Sequence, residues 1–180
     1  MRIRINIARS LLKMAKFLQT LPVVVMKPAD LIEFNRQSYA SPADVDGWCE
    51  DSLVDQGLDE DELRIFNSIP QNGGKLLLLG VGGGREVIPF AKMGFNVTGV
   101  DFIPAMIERA IENVAKRGFE TEGLVQEISD IDVPDNNFDV VWLSRSMYSS
   151  IPSRKRRVHM VQRIATALKP GGYFLVQFNG

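Results

Sequence analysis

Gly80, Gly82 and Gly84 stand at alternate positions, directly after the apolar run of residues 76–79 and before a helical pattern that opens near Arg85. That spacing suits a nucleotide-sized ligand. Glycine lets the backbone turn sharply and keeps side chains out of the space between chain and ligand. A helix N-terminus just beyond offers free N–H groups and the positive end of its dipole. Further candidates follow the fourth β-prone run: Ser144, Arg145, Ser146, Met147 and Tyr148. The carboxyl edge of an open α/β sheet is where ligands bind. A dinucleotide site needs Gly-x-Gly-x-x-Gly/Ala. Counted from Gly80 the last position is Arg85, and counted from Gly82 it is Val87, so NAD is disfavoured.

The elements that must position these residues alternate strand and helix. The pattern predicts strands over residues 75–80, 96–101, 122–128, 138–143 and 173–178. It predicts helices over 85–93, 104–117 and 153–168, with Pro104 in a first turn and Gly118 at an end. Pro89 falls inside the first of these helices and argues for a kink. Strands alternating with crossover helices imply a doubly wound parallel sheet of the Rossmann-like α/β class. Residues 1–70 read as a helical N-terminal extension or cap, and residues 71–180 as the core. Within the extension, residues 2–21 form an amphipathic pattern, with Arg2, Asn6, Arg9, Lys13, Lys16 and Thr20 on one side. Residues 23–26 are β-prone, residues 30–39 read as a helix capped by Asp30 with Glu33 three residues on, and short helices follow over 40–66.

Composition bounds the rest. The chain has 180 residues, 45% hydrophobic and 24% charged, with a net charge of −1, which gives no overall pull toward nucleic acid or membrane. The charges are unevenly spread: residues 1–29 carry six cations and no acid, and residues 44–62 carry nine acids and no cation. One cysteine excludes an internal disulfide and fits a reducing, cytoplasmic setting. One histidine beside one cysteine gives no soft-metal cluster, so no metal is expected. His159 reads as a surface helix residue. The cations at 154–157 open a helix against its dipole, which a solvated basic face accommodates and an anionic neighbour would explain. For that neighbour the alternatives are an acidic substrate, a phospholipid surface, or the protein's own acidic 44–62 segment.

The Gly-x-Gly-x-Gly turn resembles the first motif of the class I S-adenosylmethionine (SAM)-dependent methyltransferases, and the resemblance runs over residues 75–178. Residues 97–101 look like the family's second strand, ending in the acid that binds the ribose hydroxyls, here Asp101; Phe102 occupies the position near the adenine. Residues 129–131 resemble the motif in which an acid, Asp130, accepts from the adenine amino group while the next backbone N–H, Ile131, donates to the ring. Residues 135–141 and 168–172 resemble the lead-ins to the fourth and fifth strands. The resemblance implies SAM as cofactor and S-adenosylhomocysteine as product. Gly80, Gly82 and Gly84 would cradle the methionine part, and Leu79, Val81 and Ser144 would also be cofactor-binding.

Two departures stand out. The family usually carries an acid two residues before the first glycine, which helps position the methionine end, and here that residue is Leu78. The family sheet also continues past a fifth strand, whereas this sequence stops at Gly180. An apolar fifth strand would be an exposed edge, which implies a truncated form, an oligomer covering the edge, or cover from residues 23–26.

Tyr148, Arg145 and Ser146 are the candidate catalytic residues on the acceptor side. Tyr148 could bond an acceptor oxygen and Arg145 an anionic group. The Asn/Asp-Pro-Pro-Tyr/Phe motif of amino-directed nucleic-acid methyltransferases is absent, so a small-molecule or lipid-like acceptor is expected and nucleic acid disfavoured. Residues 1–21 could add peripheral membrane contact, and Tyr39 lies where relatives fold over the cofactor. The alternative is a catalytically silent, methyltransferase-like subunit that binds or regulates a partner.

Overall fold

Four consecutive leucines cannot alternate apolar and polar, so the strand they form must be covered on both faces. In the computed structural model, which describes residues 25–70 and 73–177 and the single positions 5, 7, 10, 12 and 14, all four are fully buried. They lie in β1 (Gly74–Leu79), which pairs in parallel with β2 (Phe95–Asp101) on one side and β4 (Phe138–Leu143) on the other. With β3 (Glu122–Val125) and β5 (Leu168–Val176), the order is β3-β2-β1-β4-β5, every pair parallel. The order reverses between β1 and β4, so the carboxyl ends of these two strands flank the switch point of the sheet.

Side-chain alternation divides the core. Leu76, Leu78, Val97, Val140 and Trp142 face one side, under α4 (Glu60–Phe66), α5 (Val87–Lys92) and α6 (Pro104–Lys116). There Phe66, Phe90 and Trp142 pack at steep angles, with ring centroids 5.1 Å apart for Phe66–Phe90 and 5.2 Å for Phe90–Trp142. Leu77, Leu79, Val141 and Leu143 face the other side, under Met160, Ile164 and Ala167 of α8 (Arg154–Ala167). Each fully buried leucine contributes roughly 1.5–3 kcal/mol.

Several boundaries differ from the sequence expectation. The first core helix begins at Val87, not Arg85, because residues 81–86 continue the turn; Pro89 then falls in the first turn, where no intrahelical N–H is needed. The third strand is shorter, and Ile128–Asp130 forms a 3₁₀ turn. The fifth is longer, starting at Leu168, with a register shift opposite β4 between Phe138 and Val140 and Gly171 at φ +81°.

The extension carries α1 (Pro28–Tyr39), α2 (Pro42–Trp48) and α3 (Asp51–Val54) before α4. Helix α1 starts at Pro28, so Asp30 is not its cap but the third residue, reaching back to the Lys27 N–H at 3.3 Å. Val25 is helical, so the β-prone run does not supply a strand there, and β5 is an edge of the sheet among the described residues. The amphipathic 2–21 segment falls outside the described residues except for five helical positions, 5, 7, 10, 12 and 14. No helix among the described residues is long and apolar enough to cross a membrane.

Candidate functional site

The glycine turn is fixed from below by β2. The N–H groups of Gly80 and Val81 both donate to Val100 O, at 2.8 and 3.0 Å, and the Gly84 N–H closes the turn on Val81 O at 3.0 Å. Gly80, Gly82 and Gly84 have φ of +86°, +50° and +92°, values that favour glycine. Each glycine meets different surroundings. A Cβ at Gly80 would lie 2.7 Å from Met147 Cγ, and one at Gly84 would press on Ala110 O of α6 at 3.3 Å. One at Gly82 would meet nothing within 4 Å, so the turn opens to free space there. A Cβ at Gly83, which the motif leaves unassigned, would run into the backbone of Trp48 and lie 2.8 Å from Cys49 Cα. Here the extension packs onto the turn. Asn113 secures that contact by donating to Cys49 O and Gly83 O at 3.2 and 3.0 Å.

Asp101 ends β2 beside this turn and is 9% exposed. One of its carboxylate oxygens accepts from the Gly82 N–H and the other from the Ile103 N–H, both at 3.1 Å. Burial pushes the Asp101 carboxyl above its usual range, against the opposing pull of these backbone donors. A carboxylate offers about four lone-pair positions, so acceptor capacity remains for a diol. Phe102 is half-buried and packs on the cluster of Val45, Cys49, Ile103 and Met106 that joins α2 to α6. Asp130 is exposed and 3.1 Å from His159 Nε2, while the Ile131 side chain is buried and its carbonyl accepts from Arg163 Nε at 3.1 Å.

After β4, the Ser144 N–H donates to Leu79 O at 3.0 Å, tying the loop to the end of β1. Arg145 pairs with Asp59 and donates from Nε to Gln177 at 3.3 Å. Ser146 has φ +68° and precedes the short α7 (Met147–Ser150). The Arg157 guanidinium lies 5.7 Å from the centroid of the Tyr148 ring. The predicted residues therefore line one edge in spatial order: Asp130 and Ile131 beyond β3, Asp101 and Phe102 at β2, the glycine turn at β1, and 144–148 beyond β4. Tyr39 is exposed at the end of α1. A cavity of about 350 Å³ lies elsewhere, lined by Leu58, Leu63, Ile88 and Phe119 but by no predicted site residue.

The structure adds a buried charge cluster with no assigned role in the sequence reading. Glu62 is fully buried and accepts twice from Arg85, at 2.7 and 2.8 Å, and once from the Asp59 N–H at 2.9 Å. Glu86, 2% exposed, lies 3.2 Å from Arg85, accepts from Trp142 Nε1 at 3.2 Å and from Ser144 Oγ at 2.8 Å. Burial pushes the Glu86 carboxyl up, opposed first by the Arg85 charge. The only local signal is Asp59-x-x-Glu62, the spacing of a capping box, which α4 does form. Within the basic 154–157 run, Arg156 pairs with Glu127 at 3.1 Å, while Arg154 and Lys155 are exposed.

Over residues 76–172 the sequence matches the family described as "Methyltransferase domain". It is 31% identical over 115 residues to phosphatidylethanolamine N-methyltransferase of Cereibacter sphaeroides, covering 63% of this chain and 54% of the relative. It is 36% identical over 120 residues to ubiquinone biosynthesis O-methyltransferase of Paramagnetospirillum magneticum, covering 66% and 44%. The chain thus spans about half the length of these relatives. Phosphoethanolamine N-methyltransferase 1 of Haemonchus contortus, solved with phosphoethanolamine and S-adenosylhomocysteine, superposes with a TM-score of 0.63 over 82% of this chain and 31% of that one; at 18% identity this is a likeness of fold alone. With its parallel sheet, its glycine turn at the switch point and the family match over more than half its length, the chain belongs to the class I SAM-dependent methyltransferases.

Proposed function

We propose that the protein is a SAM-dependent methyltransferase acting on a small-molecule or lipid-like acceptor. One observation carries the reading: the cradle open over Gly82 and the buried Asp101 carboxylate are joined by a single hydrogen bond, at the switch point of the sheet. A nucleoside carrying an amino-acid tail fits this donor and acceptor set. Gly80, Gly82 and Gly84, with the backbone of Leu79 and Val81 and with Ser144, would hold the methionine end. Asp101 would accept from the ribose hydroxyls, and Phe102, Asp130 and Ile131 would border the adenine.

When bound, SAM supplies a methyl group already activated on a sulfonium. The chain's own contribution is then positioning and exclusion of water. Arg145, Ser146 and Tyr148 are the groups that would orient an acceptor beyond β4. The division of the chain into an extension over 1–70 and a core over 71–180 gives the extension a capping role, supported by its seat on Gly83. The relatives' names, which mention phosphatidylethanolamine and ubiquinone biosynthesis, support a lipid-like acceptor and leave the silent-subunit alternative without support.

Calorimetry of the full chain with S-adenosylhomocysteine tests this reading. The wild type should bind, and Asp101→Ala should lose tenfold or more in affinity while staying folded. A folded wild type that does not bind refutes it. Transfer of labelled methyl groups to a panel of amine and phenol acceptors, lipid-borne and free, would then identify the acceptor.

A further inference from the structure

The acid that the family places two residues before the first glycine is replaced here by Leu78, which is fully buried and stands in register with Gly99 on one side and Trp142 on the other. Its face of the sheet is apolar, packed with Leu76, Phe90 and Trp142. A carboxylate nevertheless reaches the same region from another direction. Glu86 accepts from the indole N–H of Trp142, the lateral neighbour of Leu78, and from the hydroxyl of Ser144, two residues further along β4's course. We propose that Glu86 is a positioning residue for the methionine end of the cofactor, standing in for the acid missing at position 78 and acting through Ser144. This rests on the SAM-binding reading above.

A serine hydroxyl has one proton to donate and two lone pairs to accept with. Ser144 Oγ lies 2.8 Å from both oxygens of Glu86, so its proton is committed to the carboxylate. Its lone pairs are left for other donors. Ser144 Cβ is also 3.4 Å from the point a Gly80 side chain would occupy, which sets the residue against the turn that would cradle the methionine end. The α-ammonium of that end is a donor and nothing else. Burial raises the Glu86 carboxyl, but the Arg85 guanidinium 3.2 Å away and the Trp142 indole N–H favour its charged form, and a Glu86 held ionised by them fixes Ser144 as an acceptor, the polarity an ammonium needs. The surrounding charge agrees. Asp59, Glu62 and Glu86 are three carboxylates around two guanidiniums, Arg85 and Arg145, which leaves one negative charge beside the turn.

The test compares two probes by calorimetry on the full chain: S-adenosylhomocysteine, which carries the amino-acid end, and 5′-methylthioadenosine, which shares the nucleoside and thioether but lacks it. Glu86→Gln keeps the shape but lets an amide N–H donate to Ser144, reversing the hydroxyl. Glu86→Gln and Ser144→Ala should each weaken S-adenosylhomocysteine about 10- to 100-fold, the scale of a charge-assisted hydrogen bond. Each should leave methylthioadenosine within about threefold. The double variant should be no weaker than Glu86→Gln alone, since the two residues act in series. Thermal melts establish that each variant is folded, and Ser144→Ala, at a half-exposed site, carries the test if Glu86→Gln does not fold. Equal weakening of both probes, or unchanged S-adenosylhomocysteine affinity, would overturn the assignment. A wild type that bound neither probe would overturn the cofactor reading and this assignment with it, whereas intact binding of both by Glu86→Gln would overturn this assignment alone.

Discussion

Replacing Arg85 by methionine should expose how the extension is fastened to the glycine turn. The Arg85 guanidinium bonds Glu62 twice, at 2.7 and 2.8 Å, donates to Gly57 O, and lies 3.2 Å from Glu86. Glu62 is fully buried and Glu86 is 2% exposed, so neither carboxylate can recover its lost partner from bulk water. Removing one side of a buried pair costs about 3–5 kcal/mol. Glu62 keeps the Asp59 N–H, and Arg145 stands 3.9 Å away, so the lower end, about 3 kcal/mol, is the figure expected here. For a chain of this size that corresponds to a fall of roughly 6–12 °C in Tm. Urea unfolding followed by circular dichroism measures it, with an unchanged slope showing that the folded state is still the same one. Adding Glu62→Leu to Arg85→Met should restore part of the loss, because the fully buried Glu62 charge is then gone and only Glu86, which keeps Ser144 and Trp142 as donors, has lost its charged partner. A loss under about 1 kcal/mol for Arg85→Met, or a double variant as unstable as the two single changes together, would refute the reasoning.

Two adjacent glycines should part stability from binding. Gly83→Ala places a methyl group against the backbone of Trp48 and Cys49 and should destabilise by 2 kcal/mol or more, since a backbone cannot rotate away. Gly82→Ala meets open space and should cost only about 1 kcal/mol for its positive φ, yet weaken S-adenosylhomocysteine by tenfold or more; melts and calorimetry that gave the reverse pattern would refute both assignments. Asp139 accepts from Lys169 Nζ at 2.8 and 2.9 Å and from the Lys75 N–H at 2.8 Å, which holds its carboxyl below the usual range. Its stabilising effect is therefore present above the unfolded value of about 3.9 and lost as the pH falls through the folded one. Asp139→Asn should cost about 1.5–3 kcal/mol at pH 7 and converge with wild type in acid; a constant gap in urea midpoints across that range would contradict the linkage.

How much of this was legible beforehand depends on whether the signal was local. The strand over residues 138–143 matched its expected bounds, since an apolar run between turn residues encodes its own burial. The glycine turn and Asp101 came together as expected, because three glycines and an acid at the end of the next strand are carried by sequence spacing alone. Boundaries failed where a local preference met a tertiary partner. Arg85 and Glu86 have good helix propensity, yet the turn runs through both, because Arg85 is drawn to Glu62 and Glu86 to Ser144. Gly171 and Gly172 signalled a turn, but pairing with β4 carries the strand through them with a register shift.

What the sequence determined by itself is the class of the sheet, the place of its glycine turn and the family to which the chain belongs. These rest on patterns within a few residues, where periodicity and backbone preference act. What only the tertiary structure decided is how the neighbourhood of that turn is charged. Glu86 meets Ser144 and Trp142 from 58 and 56 residues away, and Arg85 meets Glu62 from 23. Such pairings leave no periodic trace in the chain. They are chosen because a buried charge must find a partner wherever the fold brings one within reach.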